Sequence, residues 1–275
     1  MGENAARPTT DQLDAFADWE RTTWEARAEA YADSIARLTS GAAEALLDGA
    51  ELAAGRRVLD VATGPGVVAL AARKRGAEVT AVDQSEAMVA IARAAGIDAR
   101  RAAVEQLPFE EASFDAVVAG FLLNHLARPA GGVTEMARTC NGRIALSVWD
   151  RPSANAALGL FGPVVESLGM TDVVPPGPAS DWCSAEDRLV DLLVSVGLEE
   201  VRVDRVGWTV TVDPGAWFDA VAAGTPRTGF ALAATTTDQR VALRDRYVEV
   251  ATATYGSDDG LVTLPAAALV ASGRV

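Results

Sequence analysis

Two carboxylates around a glycine turn carry the first chemical signal. Asp60 closes a short apolar run, Val58-Leu59, and the turn Ala62-Thr63-Gly64-Pro65-Gly66 follows. A second apolar run, Val67 to Ala72, comes next. Strand, glycine turn and helix in that order open a βαβ unit. Gly64 and Gly66 lack a Cβ, which lets a ligand approach the turn backbone, and the helix N-terminus offers it unpaired N–H groups. A dinucleotide would bring pyrophosphate to this turn, where Asp60 would repel it; a carboxylate suits an ammonium group instead. Asp83 ends the run Glu78 to Asp83, 23 positions after Asp60, close to the ~20-residue offset of the ribose-binding acid in βαβ nucleotide sites. One ammonium contact, one ribose contact and no pyrophosphate contact describe a site for S-adenosylmethionine.

Two further residues are candidates for proton chemistry. His125, the only histidine, stands in Asn124-His125-Leu126 shortly after the apolar run Phe114 to Ala119 and Gly120. Imidazole titrates near neutrality, so His125 suits a general base toward a hydroxyl, an amine or an acidic carbon; the plainer role is to cap or pack its loop. Tyr31 lies on the stripe Phe16, Trp19, Trp24, Ala28, Tyr31, Ile35, whose spacing is that of amphipathic helices. Such stripes are more often core, and Tyr31 is the second catalytic candidate only through the family resemblance that follows, which implies that the N-terminal helices form part of the acceptor pocket.

The elements that must hold these residues are legible from periodicity. Strands are expected at 58–60, 78–83, 97–104 (at the sheet edge, because of Arg100 and Arg101), 114–119, 144–149, 200–212 and 261–270. Helices are expected within 11–50, over 67–72, over 86–95 with Ser85 as N-cap and Gly96 as stop, over 131–139 and over 154–168. Further helices are expected over 184–196, with Ser184 and Asp187 as capping pair, and within 214–255. Asn141-Gly142 reads as a tight turn, and the stretch 151–182, with Pro175-Pro176-Gly177-Pro178, as an insertion over the site.

These segments resemble a known family. Asp60 to Gly66 is similar to motif I of class I S-adenosylmethionine-dependent methyltransferases, with Ala62 in place of the usual first glycine. Val79 to Met88 resembles motif II. Ala103-Val104-Glu105-Gln106-Leu107-Pro108-Phe109, then Ser113-Phe114-Asp115, resembles the third motif of the subgroup containing ubiquinone and menaquinone methyltransferases, with Ala103 replacing its usual Asp. The resemblance is dense over 50–150. It implies a Rossmann-like α/β fold: a seven-stranded, mostly parallel sheet, helices on both faces, helical cap insertions, and a last strand antiparallel to the rest. It also implies cofactor contacts from Asp60, Ala62, Gly64, Gly66, Asp83, Gln84, Met88, Val104, Glu105 and Gly120. The turn after 139 is shorter than the Lys-Pro-Gly-Gly type of the relatives.

The organisation expected is one methyltransferase domain over 1–275, with core at about 51–150 and 184–275 and cap elements at 1–50, 151–182 and 214–258. The function expected is methyl transfer from S-adenosylmethionine to a small, apolar, natural-product-like acceptor at O, N or C. A biosynthetic cyclase that keeps the cofactor site is the alternative, and an oxidoreductase with a nucleotide cofactor is disfavoured by Asp60. A net charge of −14 argues against nucleic acid and anionic membrane as partners. Two cysteines and one histidine provide no metal-ligand spacing. With no long apolar run, a soluble cytoplasmic chain is expected, and a homodimer is compatible with it.

Overall fold

The computed structural model describes residues 8–170 and 183–275. Seven strands form one sheet: β1 (Arg57–Val61), β2 (Glu78–Asp83), β3 (Asp98–Arg101), β4 (Phe114–Gly120), β5 (Cys140–Trp149), β6 (Glu199–Val212) and β7 (Val262–Arg274). Their order is β3-β2-β1-β4-β5-β7-β6. β1 to β5 run parallel, and β7 runs antiparallel between β5 and β6. This is the Rossmann-like sheet expected, with β3 at its edge. The chain order reverses between β1 and β4, so a crevice opens outside the carboxyl ends of those two strands.

The helices are α1 (Thr10–Asp33), α2 (Ile35–Thr39), α3 (Ala43–Gly49), α4 (Val67–Lys74), α5 (Glu86–Ala94), α6 (Pro129–Thr139), α7 (Ala156–Gly159), α8 (Phe161–Ser167), α9 (Glu186–Ser195), α10 (Pro214–Gly224), α11 (Pro226–Ala233) and α12 (Thr237–Tyr255). Strand side chains alternate between faces, which sorts the layers. Leu59, Val61, Val117, Ala119, Ile144 and Leu146 pack with Val133 and Met136 of α6 and with Leu189 and Leu193 of α9. Their neighbours Val58, Ala116, Val118 and Ala145 pack instead with Leu46 and Leu47 of α3 and Ala72 of α4. Ala81 and Ala99 pack on α5 through Val89 and Ala92. Each fully buried Leu, Val or Ile here contributes about 1.5–3 kcal/mol. A separate cluster joins α2, α7, α8, α10, α11 and α12 to the far ends of β6 and β7, around Tyr247, Phe218 and Trp217. The fifty-residue interval between β6 and β7 thus carries helices, as read from the sequence.

Several local expectations are corrected. Residues 43–50, expected with the N-terminal cap, pack directly under the sheet through Leu46, Leu47 and Ala50. Asn141-Gly142 is no turn: both lie inside β5, opposite an irregularity between Phe114 and Ala116. A Cβ on Gly142 would stand 2.3 Å from the Asp115 carbonyl oxygen, so close strand approach explains this glycine. α9 begins after Ala185, which has no side chain able to cap it, and the Ser184 hydroxyl, one residue outside the N-cap position, donates to the Trp149 carbonyl (2.9 Å). β3 is shorter and β7 longer than expected. The helical stretch from 154 is broken into a 3-10 turn, α7 and α8, and the Pro175–Pro178 run lies outside the described residues. Ser85 caps α5 as expected, its hydroxyl accepting from Met88 N at 3.1 Å. No helix among the described residues is long and apolar enough to cross a membrane.

Candidate active site

A cavity of about 360 Å³ opens at the carboxyl ends of β1 and β4, under α1. Asp60 alternates with Leu59 and Val61 and so points toward α4. Its Oδ2 accepts from Thr63 Oγ1 (2.7 Å) and from Ala69 N in the first turn of α4 (3.0 Å). Its Oδ1 is buried without a partner. Asp83 ends β2 and spans the turn: Oδ2 accepts from Gly64 N and Oδ1 from Ser85 N, each at 2.9 Å. Burial holds the Asp83 carboxyl above its usual range.

Burial pushes the Asp60 carboxyl up to about 7, against the Thr63 and Ala69 hydrogen bonds that lower it. The folded value therefore lies above the ordinary value of 3.8. The stability this proton provides is complete below about 3.8 and is lost as pH rises through about 7. A cation at Oδ1 favours the ionised form, so affinity for an ammonium ligand should rise as pH climbs through that value. Asp60→Asn should flatten both trends. Thermal melts and calorimetric titrations across this range, wild type minus variant, test this; a flat difference curve would reject it.

These features meet the demands of S-adenosylmethionine. An unpaired, buried carboxylate oxygen wants a cation, a second buried carboxylate stands beside the Gly64 turn, and Gly64 itself adopts φ +54°. A Cβ there would approach Tyr31 (3.8 Å) and the Met88 sulfur (4.0 Å) across the space a ligand would enter. Ala62, Gln84, Met88, Val104, Glu105 and Gly120 also line the cavity. Gly66 does not: its φ of +91° and the approach of Ile97, 3.3 Å from where a Cβ would stand, make it a helix-packing residue. Ala103 is exposed and outside the lining, while its neighbours Ala102 and Val104 line the cavity. Ala62 has φ +55°, a left-handed conformation that costs an L residue about 1–2 kcal/mol. Ala62→Gly is therefore expected to raise unfolding stability by about 1 kcal/mol in urea titrations, after the extra freedom of glycine in the unfolded chain is subtracted; a loss of stability would contradict this.

The catalytic candidates stand in the same cavity. His125 Nδ1 lies 2.9 Å from Glu20 Oε2 on α1, and its Nε2 lies 3.0 Å from Asn124 Nδ2. Trp24 meets the imidazole edge-on at 5.0 Å and Tyr31 at 5.2 Å. The Tyr31 hydroxyl donates to Thr39 Oγ1 (3.3 Å), and burial pushes its phenol up to about 12. It is a donor, not a base, near neutrality. Trp19 instead packs with Phe16 and Phe230.

Sequence reasoning missed Glu20 and Phe121. Glu20 had a signal: four residues after Phe16 and four before Trp24, it puts an acid on the buried stripe of α1. Phe121 has none; its φ of +56° and its stacking on Trp149 (4.1 Å) follow from the sharp exit of β4.

The family described as a methyltransferase domain matches residues 59–143. The ubiquinone biosynthesis O-methyltransferase of Xanthomonas oryzae is 36% identical over 118 residues, which is 40% of this chain and 49% of that protein. The demethylmenaquinone methyltransferase of Clavibacter sepedonicus is 37% identical over 106 residues, 36% and 43% of the two chains. The chain thus spans about half the length of the curated relatives it matches. Among solved structures, a candidate methyltransferase from an antibiotic biosynthesis pathway of Anabaena variabilis superposes with a TM-score of 0.55 at 17% identity, covering 83% of this chain and 95% of that one. One from Bacillus halodurans gives 0.50 at 22% identity, covering 84% and 97%. At these identities the structures speak to the fold alone.

Proposed function

We propose, from the premise that this chain carries a class I S-adenosylmethionine-dependent methyltransferase domain, that it transfers the methyl group of S-adenosylmethionine to a small apolar acceptor. The observation that carries this reading is the pair Asp60 and Asp83 at adjacent strand ends, one with a buried unpaired oxygen and the other locked to the Gly64 turn. Asp60 would take the methionyl ammonium and Asp83 the ribose hydroxyls, while Met88 and Val104 would flank the adenine. The bound cofactor would supply an already activated methyl, so the chain's work is positioning, exclusion of water and, for a weak nucleophile, proton removal.

The acceptor side is bounded by Trp24, Leu122, Leu126, Leu158 and Pro226, which supports an apolar skeleton. His125 is the proposed general base; Tyr31 shapes the wall as a protonated phenol. A thermal-shift comparison tests the cofactor directly: S-adenosylmethionine should raise the melting temperature, and NAD should not. The reverse order would move the chain to nucleotide redox chemistry.

A further inference from the structure

Glu20 is 1% exposed and sits on the apolar stripe of α1 between Phe16 and Trp24. Its Oε2 meets His125 Nδ1 at 2.9 Å, while its Oε1 is buried with no partner. A buried carboxylate satisfied on one oxygen is costly, and an apolar side chain at such a position is commonly neutral or stabilising. Packing therefore does not account for an acid here. What the acid does is orient the ring: it accepts from Nδ1–H, which leaves Nε2 as the bare nitrogen. The other contact agrees, since Asn124 Nδ2 donates to Nε2 at 3.0 Å. The Asn124 N–H thus occupies the place an acceptor hydroxyl would take.

The charge of the cavity narrows the acceptor. Glu20 and Glu105 line it beside the two carboxylates assigned to the cofactor, Asp60 and Asp83; Asp150 also lines it but is paired with Arg205 at 2.6 Å, and Arg227 is the single Lys or Arg among the described lining residues. A carboxylated or phosphorylated acceptor would meet that field as a like charge. We propose that Glu20 is the positioning residue that holds His125 in its Nδ1–H form, and that Nε2 so presented takes the proton of a hydroxyl on a neutral, apolar acceptor. This rests on reading the cavity as a methyl-transfer site. In the step, the hydroxyl oxygen forms the new C–O bond, its proton passes to Nε2, and the S–C bond breaks with its electron pair left on sulfur, so charge and atoms balance.

His125 is the only histidine in the chain, so ¹⁵N-imidazole NMR reports it without ambiguity. At pH 8 the wild-type spectrum should show a protonated Nδ1 and a bare Nε2. Glu20→Leu should release the ring to the Nε2–H form while the melting temperature holds or rises, which a merely structural role would not allow. Glu20→Gln, which retains an acceptor oxygen, should keep the Nδ1–H form and covers the case in which the leucine variant does not fold. An Nε2–H signature in the wild type, a ring unchanged in Glu20→Leu, or a ring released in Glu20→Gln would overturn the assignment. With S-adenosylhomocysteine present, 2-naphthol should displace the Nε2 resonance and 2-naphthoate should not. An equal response to the acid, or none to the naphthol, overturns the neutral-hydroxyl class. Absence of cofactor binding beside the expected tautomer would overturn the methyl-transfer reading and leave the role of Glu20 standing.

Discussion

Replacing His125 with glutamine is expected to slow methyl transfer by about 10²–10⁴-fold, the range for loss of a positioned general base. Glutamine is the informative choice because of Glu20. It can still offer an N–H to the buried Oε2 that His125 Nδ1 now meets at 2.9 Å, but it cannot take up a proton. His125→Ala would leave that carboxylate buried and unpaired, at a cost of about 3–5 kcal/mol, and a fall in activity would then mix lost catalysis with lost fold. In the glutamine variant, affinity for S-adenosylmethionine and melting temperature should stay close to wild type, so that the change appears in kcat. Single-turnover transfer of a labelled methyl to 2-naphthol, or to an acceptor recovered with the protein, measures it. A rate near wild type would dismiss His125 as the base. Tyr31, with its phenol pushed up to about 12 by burial, would not replace it, so the acceptor would have to be nucleophilic without help.

Asp83→Ala should act on affinity instead. The side chain ties two elements together, accepting from Gly64 N at the turn and from Ser85 N at the start of α5, each at 2.9 Å. Each of its oxygens keeps a further lone pair for a ribose hydroxyl. Hydrogen bonds to a charged group are worth about 1.5–3 kcal/mol, so calorimetry should find S-adenosylmethionine bound about 10- to 150-fold more weakly. Stability should fall as well, since two backbone donors lose their partner; Asp83→Asn, which keeps one acceptor oxygen, should be intermediate in both. Unchanged affinity would remove Asp83 from the site.

The chain's own residues fix the frame of this site at short range. Acids stand at the carboxyl ends of β1 and β2, Asp60 one residue before the last and Asp83 as the last, and a strand carries its final residues to the sheet's end whatever packs around it. Asp60, Gly64 and Asp83 are therefore legible from spacing, while the Ser85 cap and the edge position of the arginine-bearing β3 are legible from residue type. His125 was placed at the carboxyl end of β4 by the same reasoning. What spacing could not decide depended on approach between distant segments. Glu20 meets His125 across 105 positions, and only the docking of α1 over the crevice makes an acid on an apolar stripe into the partner of an imidazole. Gly66 reads like Gly64 in the sequence, yet Ile97 fills the space beside it and leaves the ligand side to Gly64. Asn141-Gly142 has the composition of a turn but is drawn into β5 opposite an irregularity in the β4 pairing, where the Gly142 carbonyl accepts from Val275 N and only a residue without Cβ fits against the Asp115 carbonyl. Ser184 has the composition of a cap, yet the helix starts one residue later, with Ala185 at the N-cap, and the Ser184 hydroxyl donates to the Trp149 carbonyl. Local composition states what a residue is able to do; the groups that tertiary packing brings within hydrogen-bond or van der Waals reach select which of those things it does.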